Sequence, residues 1–307
     1  MSVAVAPTDT VPPDAHSGRS AYFRKLIRGK PAVYTIVIGG VGAFLFGAAR
    51  RDLVIMAAAP IAVVAVVMIV AAMLADRYST KSFFRSFAAA RDLEYVDRWE
   101  VTPFTPLLGA GNRRWYEHWM IGDVVKEPRL SGGLGHFFYE RRREQFTSSG
   151  ERRSQTIERH HLTVCTIDLE PSILLFKGIF LRHRRGVFDF GTDWLADTPS
   201  RAVEVESAAF TERYELRLAN DQDELLMRQL MSPTLVSWFA GHPLAPGFEL
   251  RAGTLVVFVP KLLEDGGSLT YLLDGARKIA SRVLEEVAET AATEPRTPSL
   301  SAKMPGL

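Results

Sequence analysis

The hydrophobic pattern divides the chain near residue 75. Ala32–Ala49 and Leu53–Leu74 contain no charged residue, and only Arg50, Arg51 and Asp52 separate them. An apolar run of about 18 or more residues crosses a hydrocarbon core of about 30 Å as a helix. The second run also lacks the polar stripe that a helix packed inside a soluble protein normally keeps. The pattern therefore predicts a transmembrane helical hairpin. Within it Gly39, Ala43 and Gly47 recur every four residues, and Ala58, Ala62 and Ala65 make a second small-residue strip. Small residues let helix backbones approach closely in lipid, so these six are the expected packing contacts. Pro60 falls inside the second helix, where a mild kink is tolerated. Neither helix carries the ionisable residue that a transport path normally needs, so the hairpin reads as an anchor.

Beyond Leu74 the pattern turns amphipathic. Phe83, Phe84, Phe87, Ala88 and Arg91 follow three-and-four spacing and predict a helix over Ser79–Leu93. That spacing suits the first helix of a soluble domain, with a helix lying on the membrane as the alternative. Strand composition then dominates: Arg114–Ile121, Gly135–Arg143, Arg159–Leu169 and Ile173–Phe180 read as an antiparallel meander, with Phe146–Glu158 as a polar connection. Val203–Leu218 supplies further strand. Asn220 or Asp221 caps a helix to about Leu230, and Ser232-Pro233 opens another that stops at Gly241. Phe248–Val259 reads as a hairpin turning near Ala252-Gly253. Ser268–Glu289 is the clearest soluble helix, with Leu269, Leu272, Ala276, Ile279 and Val283 on one face.

The expected fold class is α+β: a two-helix transmembrane hairpin, then a soluble domain of antiparallel sheet with packed helices. The expected divisions are a disordered basic tail at 1–31, the hairpin at 32–74 (32–49 and 53–74), an α+β domain at 79–289 and a disordered tail at 290–307. Whether 79–200 and 201–289 form separate lobes stays open.

Charge fixes the orientation. Five basic residues crowd Arg19–Lys30 and four lie in Arg77–Arg91, against two in the turn. The excess places both termini in the cytoplasm of a multi-pass plasma-membrane protein. The single cysteine, Cys165, allows no intramolecular disulfide and suits a reducing compartment. Overall, 37 Lys and Arg against 35 Asp and Glu leave a net charge of +2. That balance carries no nucleic-acid signature.

Candidate chemistry is sparse. Gly132, Gly133 and Gly135 have the wrong spacing for a dinucleotide loop and read as a turn. No GxxxxGK[ST], HExxH or CxxC sequence occurs. His160 and His161 are neighbours on a predicted strand and point to opposite faces, so they and Cys165 do not make a metal set. Cys165 reads as a buried thiol. No metal and no cofactor are expected. Two basic clusters stand out: Arg141, Arg142 and Arg143, flanked by Glu140 and Glu144; and Lys177, Arg182, Arg184 and Arg185, with His183. Beside an anionic leaflet a basic residue contributes about 1 kcal/mol, so both clusters are candidates for headgroup docking.

The order of segments also carries a resemblance. A membrane hairpin leads into FAAARDLEY at Phe87–Tyr95. Then come LLFKGIF, FTERYELRLANDQDELLMRQLMSPTLVSWFAG, FELRAGTLVVFV and a closing helix. This order, over roughly residues 80–288, resembles a family of bacterial membrane proteins with an N-terminal hairpin and a cytosolic domain of unknown function. The resemblance implies no catalytic residues. The leading expectation is a non-enzymatic interaction or scaffold module at the inner face of the plasma membrane. Its partners would be the bilayer, anionic headgroups and a protein. The alternative is a membrane-bound enzyme acting on a lipid or lipid-linked substrate.

Overall fold

The computed structural model describes residues 14–50, 53–146, 152–184 and 194–293. Three helices come first: α1 (Arg19–Ile27), α2 (Lys30–Arg50) and α3 (Leu53–Ala89). A sheet follows, β1 (Glu94–Trp99), β2 (Arg113–Val125), β3 (Leu130–Phe146), β4 (Arg152–Asp168), β5 (Ile179–His183) and β6 (Ser200–Val203). Next are α4 (Ala208–Arg213), β7 (Tyr214–Ala219), α5 (Glu224–Leu230) and α6 (Pro233–Gly241). β8 (Gly247–Arg251), β9 (Thr254–Val259) and α7 (Gly266–Thr293) close the fold.

All nine strands join one antiparallel sheet in the order β1-β2-β3-β4-β9-β8-β5-β7-β6. The fold class is thus α+β. The late hairpin β8–β9 inserts between β4 and β5, so the segments 79–200 and 201–289 share one sheet. One face carries the main core, where Phe84, Met120, Cys165, Leu255, Leu272 and Ile279 are buried together under α3 and α7. The other carries Tyr116, Trp119, Phe137, Tyr139, Val256 and Phe258 beneath the segment around Leu107 and Leu108.

α3 departs from the expected helix pair 53–74 and 79–93. It runs unbroken for 37 residues, about 55 Å at ~1.5 Å per residue. The intervening Ala75–Tyr78 contains neither Gly nor Pro, so nothing stops the helix where its polarity changes. Its two halves have opposite surroundings. Phe83, Phe84 and Phe87 are buried in the domain core, which settles their role as core side chains. Ile61, Val66, Ile69, Val70 and Met73 are exposed. Only 11% of the most apolar window of this helix is buried, so the domain core does not cover that part of it. Among the described residues, α3 is the one helix long and apolar enough to cross a membrane; the apolar stretch Tyr34–Phe46 of α2 is shorter.

Of the tail expected to be disordered over 1–31, residues 14–31 are packed against the rest of the fold or helical, and 1–13 lie outside the described residues. Ala15 is fully buried, and its amide donates to the carbonyl of Glu264 (2.7 Å). The hydroxyl of Ser79 on α3 donates to the carbonyl of Ala15. His16 bridges Asp76 (3.2 Å) and Glu264 (2.8 Å). α1 then lies along α3, with Tyr22 stacked on Tyr78. Of the tail expected over 290–307, residues 290–293 belong to α7, and the rest lie outside the described residues.

Three further expectations change. The polar connection 146–158 is mostly strand, because β3 and β4 keep pairing out to Phe146 and Arg152. Ile173–Phe180 is strand only from Ile179; Ile173 and Leu174 are exposed. The glycines of SGGLGH sit in mid-strand rather than in a turn, with Gly132 opposite Ile167 and Gly133 opposite Thr166. Their reason is close approach. A Cβ on Gly133 would meet the Trp119 ring at 2.1 Å, so glycine is what lets that indole lie flat on β3.

Candidate functional site

Alternation of strand direction brings distant basic residues to one edge. Every neighbouring pair is antiparallel, so β1, β3, β9 and β5 all run the same way and end at one edge of the sheet. α3 runs against them. Lys81 bonds Asp97 near the end of β1, Phe84 packs on His118 and His136, and Leu93, just past the helix, reaches Gly122. The apolar half of α3 therefore leaves the domain at the edge where β3, β9 and β5 end. Asp76 and Glu264, joined through His16, mark that exit.

The same edge carries a basic ribbon. β2 starts opposite Glu140 and β9 ends opposite Thr163, so beyond Arg141 the strands β3 and β4 pair only with each other. Arg141–Phe146 overhangs the sheet by about 20 Å at ~3.3 Å per residue. Arg141 pairs with Glu158, then a bulge shifts Arg142 opposite Thr156 and Arg143 opposite Gln155. The ladder adds Arg152 and Arg153 near the tip and Arg159 at the base. In the sequence these three lie inside or beside the polar connection 146–158.

Glu140 organises the base. Its side chain is 1% exposed and accepts from Arg142 Nε (2.9 Å) and Arg159 Nε (2.8 Å), with Arg113 at 3.9 Å. Burial alone would raise its pKa; the hydrogen bonds from Arg159 and Arg142 outweigh it and hold the carboxyl below the usual range. One carboxylate thus faces three guanidiniums, and the base of the ribbon keeps net positive charge. Beside it opens a cleft of about 600 Å³, lined by Arg141, Arg142, Arg143, Asn112, Trp194 and Asp197. Asn112 braces the ribbon in both directions: its Nδ2 donates to the Arg142 carbonyl (2.7 Å), and its Oδ1 accepts from the Arg142 amide (2.9 Å).

Under this cleft lies a buried acid that the sequence did not flag. Glu249 on β8 accepts from the Leu107 amide (2.9 Å) and from Trp194 Nε1 (2.8 Å). Burial pushes its carboxyl up to about 7 against these bonds. It pins the segment at Leu107 and the Trp194 segment to the sheet.

The second predicted cluster does not hold together. Lys177 precedes β5 and Arg184 follows it, so they lie at opposite edges of the sheet. Arg182 is nearly buried, and its guanidinium donates to Glu215 (3.0 and 2.8 Å), which also takes Arg217. Only Arg184 is exposed at the edge that carries the ribbon; Arg185 lies outside the described residues. Of the predicted helix-packing residues, Gly39 is half-buried with Val63 beside it. Ala58, Ala62 and Ala65 are exposed, so the α3 surface at Gly39 carries Val63 instead of that strip. Ala43 and Gly47 are in α2, but their side chains lie outside the described residues.

His160 and His161 do face opposite ways: His160 stacks on Tyr139 and His161 lies by Phe138. Cys165 is fully buried, and burial pushes its thiol up to about 12. Among the described residues no group of three or more His, Cys, Asp or Glu is placed to hold a metal ion. A larger groove, about 1090 Å³, runs between α6 and α7 with Trp238, His242, Tyr271 and Lys278 on its walls.

No family model matches the chain. No curated protein matches it. Among solved structures, the crystal structure of the mycobacterial trehalose monomycolate transport factor A, TtfA, is similar over 66% of this chain and 94% of that one, with a TM-score of 0.43 and 10% identity. A likeness that distant carries no inference about what this chain binds.

Proposed function

We propose that the chain is a membrane-anchored interaction module, with its α+β domain docked on the anionic inner leaflet. α2 and α3 cross the bilayer as a hairpin, both termini lie in the cytoplasm, and the basic ribbon contacts headgroups. One observation carries the reading: the exposed apolar half of α3 leaves the domain at the same edge as Arg141, Arg142 and Arg143. Because α3 is continuous and its Phe83, Phe84 and Phe87 are core residues, the domain is mounted rigidly. An anchor of this build holds the ribbon near the surface without a flexible linker, where each basic residue adds about 1 kcal/mol of attraction. Tyr22 and Tyr78 stack where α1 meets α3, matching the aromatic belt of a membrane interface.

Topology is tested in intact cells with single added cysteines and a membrane-impermeant thiol reagent. The native Cys165 is buried and its thiol is protonated, so it serves as a silent background. Asp52→Cys should label from outside, and Ser237→Cys on α6 only after lysis. Labelling of Ser237→Cys in intact cells reverses the orientation.

A further inference from the structure

α1, α2 and α3 enclose a cleft of about 620 Å³ away from the basic ribbon. Its α3 wall carries Val67, Val70 and Leu74, and Tyr78 with the stacked Tyr22 closes the end nearest the domain. Lys25, exposed in the last turn of α1, stands on the opposite wall. We propose that this cleft is a built site for one anionic phospholipid, with an acyl chain along Val67, Val70 and Leu74 and its phosphate at Lys25 and the tyrosine hydroxyls.

The chemistry is matched at both ends. The apolar wall continues the exposed surface of α3, so a chain from the bilayer enters sideways without crossing water. The closed end lies beside Asp76 and Ser79, where the protein turns polar and a headgroup belongs. Charge selects the headgroup: Arg19, Arg24 and Lys25 in α1 and Arg28 just after it are all basic, and Arg19 is 3.6 Å from Asp76. Tyrosine hydroxyls and a lysine ammonium are donors that suit phosphate oxygens. A zwitterionic lipid would bring its own cation to the same basic wall. The site rests on the membrane reading above.

The test uses the full-length protein in mild detergent. Lipid retention is read by native mass spectrometry with phosphatidylglycerol and phosphatidylcholine of identical chains. Phosphatidylglycerol should be retained at one per chain and phosphatidylcholine should be lost. Lys25→Gln should cut phosphatidylglycerol retention about fivefold, the loss of one well-placed basic residue, and Lys25→Arg should restore it. Val67→Phe fills the cleft and should abolish retention. Val64→Phe, on exposed helix outside the cleft, should not. Glycerol phosphate without chains should not compete; if it displaces the lipid, the site recognises free phosphate and the proposal fails. Equal retention of both lipids, indifference to Lys25→Gln, or equal effects of the two phenylalanine variants would also overturn it. Should Val67→Phe misfold, seen as an altered elution volume, the Lys25 pair decides alone. The labelling at Asp52 and Ser237 is independent: reversed labelling with retained lipid removes the topology and leaves the site.

Discussion

The ring of Phe84 lies flat on the imidazole of His118, with centroids 4.8 Å apart and planes 3° from parallel. Phe84 belongs to the helix that carries the apolar span, and His118 to the sheet. The contact is therefore the mechanical joint between anchor and domain. His118 occupies a bulge between Glu117 and Met120 with a positive φ of 50°. Tyr95 fixes its ring: the phenol donates to Asp97 (2.9 Å), so it accepts from His118 Nδ1 (2.8 Å). His136 packs edge-on against the same Phe84. Phe84→Ala should cost about 3–5 kcal/mol, because a fully buried ring leaves a cavity. Chemical unfolding of the purified domain in detergent measures it. A loss below about 1 kcal/mol would mean the joint is not structural.

His136 gives this joint a pH dependence. Burial pushes its pKa down to about 4, and its Nε2–H donates to the Leu263 carbonyl (3.0 Å). The unfolded chain binds a proton that the folded one refuses, so the contribution is intact above about pH 6.5 and falls toward pH 4. Glu249 works the other way. Its folded carboxyl titrates near 7, so its contribution is intact below about pH 4.5 and is lost as pH rises through 7. The two slopes oppose each other, so single variants are needed to see either. Leu107 and Trp194 bond different carboxylate oxygens, so Glu249→Gln keeps an acceptor for one of them and lowers stability at every pH, but it removes the titration and should flatten the loss of stability between about pH 4.5 and 7. A slope unchanged from the parent would show that Glu249 is ionised throughout.

Gly133→Ala should destabilise the fold by about 1–3 kcal/mol through overpacking against Trp119. The loss should shrink in a Trp119→Leu background, which removes the ring the new methyl would strike. Thermal unfolding of the four proteins closes the cycle. Additive losses would mean that the clash is with the backbone of β4 and not with the indole.

Local signals were legible in the sequence, and long-range pairing was not. Ser232-Pro233 caps and opens α6, with the Ser232 hydroxyl accepting from the Leu235 amide. Ala252 and Gly253, both at positive φ, turn the hairpin where the sequence placed it. These features act within four residues. Lys177 and Arg184 are near in sequence yet at opposite sheet edges, because a five-residue strand runs between them. Arg141 and Arg184 are distant in sequence yet share an edge, because β9 and β8 insert between β4 and β5. Glycine misled for a related reason. Its turn propensity is local, but Gly133 is needed for a Trp119 ring on the neighbouring strand. Glu249 resembles any strand glutamate until the Leu107 and Trp194 segments fold over it.

Arg182 and Arg143 should separate structural from membrane-facing charge. Arg182→Gln strands Glu215 with only Arg217 and should cost about 1–3 kcal/mol of stability with little effect on lipid contact. Arg143→Gln on the exposed ribbon should leave stability within about 0.5 kcal/mol. Its contact with anionic lipid should weaken and become less sensitive to salt. Denaturation and salt titration of both variants in the same nanodiscs check the pair. Equal destabilisation by both would place Arg143 in the fold.

The central claim is that the basic edge of the sheet faces the leaflet, and depth quenching tests it most directly. The full-length protein goes into nanodiscs containing anionic lipid and a headgroup-borne quencher, with one fluorophore per variant. Gln155→Cys lies on the ribbon opposite Arg143, and Lys177→Cys lies at the far edge of the sheet. Strong quenching at residue 155, relieved by high salt or by neutral lipid, with none at residue 177, is the predicted result. Equal quenching at the two positions, or quenching at 177 alone, would contradict the orientation and the docking function built on it.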